Sequence, residues 1–202
     1  MRGIILLVST LNIFYELILA QLQSSLLGGA LFNYVFCVGI YITAQGAGTA
    51  AASGLVHNPR SKFIRIELLM GVLMALTPPV YGWLGLRFAA FSYLMIAIIG
   101  FLSGYELPLL MEIGQKFERI SFKNTLGLDY LGMFLGCVGF GIFFEKLGLF
   151  GALIVSLFGN LWVIWLVASF PEDRKKTESW ANPFPGLLLG HFVFPCLAFL
   201  FL

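Results

Sequence analysis

Several stretches of the chain are apolar on every face a helix could present. Leu149–Ala168 is one such run. A membrane barrel would instead need segments of about ten residues alternating apolar and polar side chains. A helix of about 20 largely apolar residues crosses the hydrocarbon layer of a bilayer. The pattern therefore predicts spans near residues 3–25, 31–54, 66–85, 88–113, 126–145, 149–170 and 183–202. The expected fold class is all-α: a polytopic transmembrane helix bundle of seven spans.

The polar segments between these runs are short. The longest is Pro171–Trp180, with acidic and basic residues mixed. It divides the chain into a six-span membrane body (1–170), a cytoplasmic polar linker (171–181) and a seventh span (182–202). The seventh opens with Pro183 and Pro185 and contains His191 and Pro195. Within the body, Tyr15-Glu16-Leu17 of the first span recurs as Tyr105-Glu106-Leu107 of the fourth. Each is followed by a glycine-rich span. Repeating a unit of three spans reverses its orientation, and three-plus-three inverted repeats are common in secondary transporters. The expected plan is such a repeat plus one extra helix. Small residues spaced by four, Gly46, Ala50, Gly54 and Gly132, Gly136, favour close helix approach in lipid. Internal packing is the plainer reading, and a subunit interface the sharper one. Pro78-Pro79, Pro108 and Pro195 interrupt spans and kink them.

Composition agrees with burial in lipid. The chain has 202 residues, 59% hydrophobic and only 11% charged, with a mean hydropathy of +0.94. Ordinary soluble domains are about one quarter charged. A net charge of +2 suggests no nucleic-acid partner. The placement of charge says more. Arg2, Arg60, Lys62, Arg65, Lys116, Arg119, Lys123, Arg174, Lys175 and Lys176 fall on one side of the expected topology, and only Arg87 and Lys146 on the other. By the positive-inside rule the richer side is cytoplasmic. The expected location is a bacterial inner (cytoplasmic) membrane, multi-pass, with the N-terminus inside. Asn12 and Glu16 interrupt the first apolar run, which favours a retained span over a cleaved signal peptide. Cys37, Cys137 and Cys196 lie in spans without ligand spacing and read as packing residues.

Ionisable side chains inside spans are costly, so each is a functional candidate by default. Glu16 lies near the middle of the first span and Glu106 in the inner half of the fourth. Either a structural hydrogen-bond network or a polar binding pocket accounts for them. Tyr15, Tyr105, Asp129 and Tyr130 complete the candidate intramembrane polar site, with Asn12, Gln21, Gln45 and Asn160 as available partners. Glu67 and Asp129 open their spans, where ion pairs with Arg65 or Lys123 at the cytoplasmic face are expected. His191 is the one histidine inside a span, and His57 sits in a loop. A membrane haem held by two histidines needs two deep ones. No phosphate-binding loop, zinc pattern or nucleotide-binding glycine turn is present. No cofactor and no metal are expected.

An ordered set of motifs resembles a known family. It runs Tyr15-Glu16-Leu17, Leu26-Leu27-Gly28, Gln45-Gly46-Ala47-Gly48, then Phe63-Ile64-Arg65-Ile66-Glu67-Leu68-Leu69-Met70-Gly71. Gly104-Tyr105-Glu106-Leu107-Pro108, Leu128-Asp129-Tyr130-Leu131-Gly132 and Asn182-Pro183-Phe184-Pro185-Gly186 follow. The set resembles the membrane domain of the membrane-bound spermidine-synthase-like proteins, some of them described as fused transporter/spermidine synthases. The resemblance implies a soluble aminopropyltransferase-like domain of Rossmann type after the membrane region. That domain carries the family's glycine-rich motif and catalytic acid. Neither has a counterpart among these 202 residues, so the chain is expected to be no enzyme. Seven spans would also deliver such a domain to the outer face.

Three functions compete. The first is a non-catalytic membrane subunit or anchor, assembled with other membrane or soluble proteins or with copies of itself. The second is a small-solute carrier or channel module, with polyamines suited to its buried carboxylates. The third, a membrane enzyme acting on lipid or quinone, lacks any pairing of nucleophile and base.

Overall fold

A computed structural model describes residues 1–28, 30–52, 58–85, 89–118 and 120–169, which fall within one compact unit, Met1–Phe170. The described residues form five helices and no strand. They are α1 (Arg2–Leu27), α2 (Ala30–Ala51), α3 (Pro59–Val80), α4 (Ala89–Glu118) and α5 (Phe122–Ser169), with a wide π-type turn at Tyr81–Gly85 after α3. Four of them, all but α2, are long and apolar enough to cross a membrane.

Among the described residues the expectation of separate spans is not met. The expected fifth and sixth spans lie in one element, α5, with no polar loop between them. Gly148 (φ 67°, ψ −171°) alone leaves helical geometry inside it. Such a backbone is open to glycine and strained for other residues. The break turns the chain back on itself. Gly139, before it, packs against Phe14, and Gly159, beyond it, packs against Leu11, one turn away on α1. The expected linker 171–181 and seventh span 182–202, with His191, lie outside the described residues. So do His57 and Gly54.

α1 is the most buried of the four long helices; α5, α2 and α4 pack on it, and α3 packs on α4 and α5. Their inward stripes follow helical spacing. On α3 it is Phe63, Glu67, Met70, Met74 and Thr77; on α5 it includes Ser156, Asn160, Val163 and Val167. Outward, large apolar side chains form a belt, among them Phe32, Val35, Leu69, Val72, Phe134, Phe158 and Trp165. An apolar exterior of this extent marks a surface that meets something other than water.

Two parallel helix pairs set the frame. α5 lies along α1, where a Cβ on Gly132 would stand 2.5 Å from the Leu6 carbonyl oxygen and one on Gly136 2.8 Å from that of Thr10. α4 lies along α2, where a Cβ on Gly100 would stand 2.7 Å from the Tyr41 carbonyl oxygen. Gly104 and Gly48 are closer still, against the backbones of Gln45 and Phe101. Gly46 has open space where a Cβ would stand, and Ala50 is exposed. The approach on α2 therefore falls to Gly48, which is one helical face away from Gly46. Pro108 removes the amide that would bond the Gly104 carbonyl. Thr49 Oγ1 of α2 donates to that carbonyl instead, at 2.9 Å.

Candidate functional site

The inward stripes bring polar side chains from several helices to the middle of the bundle. The buried polar set includes Asn12, Glu16, Glu67, Ser103, Glu106 and Asn160. It contains three carboxylates and, among the described residues, no lysine or arginine.

Glu67 and Asn160 form the firmest link. The Asn160 amide donates to the Glu67 carboxylate and, at 3.0 Å, to the Glu67 backbone carbonyl. Gly71, one turn beyond Glu67, leaves room for it: a Cβ there would stand 2.8 Å from Asn160 Oδ1. The expectation of Glu67 at the cytoplasmic face, paired with Arg65, is therefore corrected. α3 begins at Pro59, so Glu67 lies about two turns inside the helix, 2% exposed, while Arg65 faces outward.

Glu106 of α4 is fully buried, and neither carboxylate oxygen has a hydrogen-bond partner. It lies close enough to Glu67 for the two carboxyls to interact electrostatically, and the Asn12 side chain faces it. Tyr15 of α1 is 1% exposed and is also without a hydrogen-bond partner at its hydroxyl. It faces Glu67, Glu106 and Asn160 together. Tyr41 of α2 stands beside them, its hydroxyl donating to the Asn12 carbonyl at 3.2 Å. Glu16 is 6% exposed and lies near Tyr41, Tyr34 and Cys137.

The six residues expected to share one polar site do not all meet. Tyr15 and Glu106 lie near each other, and Glu16 lies near Tyr41 as Glu106 does. Tyr105 is half-buried and packs its ring on Phe101 at 6.4 Å. Asp129 stands near the start of α5, where Ser9 Oγ approaches it to 2.5 Å. Tyr130 is 64% exposed, on the outer face. The helical period separates these two: adjacent residues point about 100° apart. Glu67 is the member the sequence reading misplaced. Its signal is its place in the apolar stripe between Phe63 and Met70.

Chemically, the cluster gathers acceptors. Two carboxylates and a phenol lie near one another; the Asn160 amide serves Glu67, and the Asn12 side chain lies towards Glu106. Among the described residues no group of three histidine, cysteine or carboxylate side chains could hold a metal ion.

Comparison with known proteins gives relatives of one kind. A polyamine aminopropyltransferase of Leptospira interrogans is 32% identical over 180 residues, covering 81% of this chain and 35% of the relative. Polyamine aminopropyltransferase 1 of Streptomyces coelicolor is 28% identical over 165 residues, 76% of this chain and 30% of the relative. A polyamine aminopropyltransferase of Mycobacterium tuberculosis is 29% identical over 177 residues, 77% of this chain and 32% of the relative. The chain spans about one third of the length of these curated relatives. No protein-family profile matches the chain, and no solved structure matches it. The spermidine-synthase-like similarity read from the ordered motifs is supported by these names. The expectation that the chain is no enzyme is overturned by them: relatives aligned over most of it carry an enzyme's name.

Proposed function

We propose that this chain is a multi-pass membrane module of a polyamine aminopropyltransferase system, with its N-terminus on the cytoplasmic face, holding the transfer chemistry at the bilayer. One observation carries the reading. The 180 residues aligned with the Leptospira aminopropyltransferase belong to a chain whose described part is helical, apolar outside and free of strands. Such an exterior supports lipid contact, and a strandless helical bundle is not the open sheet that binds a nucleotide.

The charge pattern supports the orientation. Arg60 of α3 donates to the Ala168 carbonyl at the end of α5, and Gly114 near the end of α4 packs beside Ile5 at the start of α1. Arg2, Arg60, Lys62, Arg65, Lys116 and Lys123 therefore share one end of the bundle, the cytoplasmic one by the positive-inside rule.

The test is biochemical. Membranes from cells expressing the protein are washed in alkaline carbonate, then extracted in mild detergent. Retention through the wash is expected, together with aminopropyl transfer to a polyamine acceptor in the detergent extract. A chain released by the wash, or an extract without transferase activity, overturns the reading. A second reading, a small-solute carrier, is favoured by the buried Glu106 with its unpartnered oxygens. Polyamine uptake into proteoliposomes that depends on Glu106 would establish it, and uptake indifferent to Glu106→Gln would remove it.

A further inference from the structure

We infer that the outward face of α3 binds one anionic glycerophospholipid, its phosphate held by Lys62 and Arg65 and its acyl chains laid along Leu69, Val72 and Leu76. The site presupposes the membrane reading above and gives one part of the bundle its lipid.

Helical spacing makes the face. Lys62, Arg65, Leu69, Val72 and Leu76 recur at intervals of three and four, so they share one side of the helix. The buried stripe of Phe63, Glu67 and Met70 takes the opposite side. α3 packs on α4 and α5, and the outward side stays open: Leu69 is 48% exposed, Val72 54% and Leu76 50%. Lys62 and Arg65 are exposed as well. Charge therefore gives way to apolar surface along a single face. Arg65 and Leu76 are about 16 Å apart along the axis of a regular helix, close to the ~15 Å of hydrocarbon in one leaflet. A lipid whose phosphate meets Arg65 would lay its chains along the whole apolar stripe.

Other cations at this end of the bundle already have partners. Lys116 pairs with Glu112 at 2.7 Å, and Arg60 donates to the Ala168 carbonyl. Lys62 and Arg65 project from a helix whose one acid, Glu67, is buried on the far side. No acidic residue stands in the first turn of α3, the end of a helix where negative charge is favoured. A phosphodiester answers these conditions: it brings one negative charge and acceptors only, and a guanidinium can fork onto two of its oxygens. A zwitterionic lipid brings its own ammonium to the same place and cancels part of the gain. Phosphate without acyl chains leaves the apolar stripe unmet. Trp165 of α5 is 50% exposed and stands one turn before Ala168, hence near the level of Arg60. Tryptophan favours the headgroup level of a bilayer, which places a lipid phosphate at the height of these cations.

The test uses the full chain in detergent micelles and native mass spectrometry, with dioleoyl phosphatidylglycerol and dioleoyl phosphatidylethanolamine as probes. Phosphatidylglycerol is expected to bind about twentyfold more tightly, at about fivefold for each cation beside the phosphate. Lys62→Gln with Arg65→Gln should remove the preference, and Lys62→Arg with Arg65→Lys should keep most of it. Arg2→Gln with Lys123→Gln, the same change of charge at the same end, should leave it unchanged. Glycerol phosphate, a headgroup without chains, should not compete. Equal binding of the two lipids by the parent overturns the inference and leaves this face to an acidic protein surface. So does a preference that survives the α3 glutamine pair, an equal loss in Arg2→Gln with Lys123→Gln, or displacement by glycerol phosphate. Should the α3 glutamine pair fail to fold, Lys62→Gln alone decides: a loss of about fivefold is expected, and an unchanged preference overturns the site. A chain released by the alkaline wash fails the membrane reading first; a retained chain without the lipid preference fails this site alone.

Discussion

Two carboxylate neighbourhoods in this bundle solve the same problem differently. Asp129 is half-buried near the start of α5, within reach of a serine hydroxyl on the neighbouring helix. Glu106 is fully buried in mid-bundle, beside a second carboxylate, and its oxygens accept nothing. The first is a satisfied structural group. The second has no hydrogen-bond partner at its oxygens, although the Asn12 side chain lies towards it. Depth alone does not separate them, because Glu67 is almost as buried as Glu106 and is satisfied through Asn160. What separates them is whether a donor on a neighbouring helix has been assigned to the carboxylate.

Breaking the frame should erase the comparison altogether. Gly104→Val puts a side chain into the Gln45 backbone and prevents α2 and α4 from closing. A cost of about 3 kcal/mol or more is expected, the upper range for overpacking, seen as loss of a monodisperse species in detergent. Gly46→Val, with open space at its Cβ, should stay within about 0.5 kcal/mol of the parent in the same assay. Asn160→Ala strips Glu67 of its donor and should cost about 2–3 kcal/mol, read as a lowered Tm. Ser9→Ala, the corresponding change beside Asp129, should cost about 1 kcal/mol. Water can reach that half-buried carboxylate and replace the lost donor. If Ser9→Ala proves the more damaging of the two, the contrast drawn here is reversed. Smallest of all, Tyr130→Ala on the exposed face should move stability by no more than about 0.5 kcal/mol.

Much of this arrangement is legible in sequence, and the failures have physical causes. Apolar length marked the helices, because long runs almost without charge favour a helix that satisfies its own backbone. Tyr15 and Glu106 stood out as polar residues inside such segments, and they do converge. Glu67 was misplaced because α3 starts at Pro59, inside a basic segment that reads as loop. Arg60, Lys62 and Arg65 are carried on the first turns of the helix itself. Gly46 was preferred to Gly48 because spacing by four identifies a face but not which face meets a partner. Asp129 and Tyr130 adjoin in sequence, yet the helical period leaves Asp129 half-buried and turns Tyr130 to the outer face. Sequence spacing also could not anticipate that the fifth and sixth apolar runs are joined through a single glycine.

That glycine fixes a parity. A straight helix of 48 residues would reach about 72 Å at 1.5 Å per residue, more than twice the roughly 30 Å of hydrocarbon in a bilayer. By turning at Gly148, α5 makes an outward and a return pass, so Ser169 comes back to the end of the bundle where Met1 begins. The last residues of α5 lie beside the first turn of α3, where Arg60 reaches the Ala168 carbonyl. On the membrane reading proposed above, a reporter placed after Ser169 should sit in the same compartment as one placed at Met1.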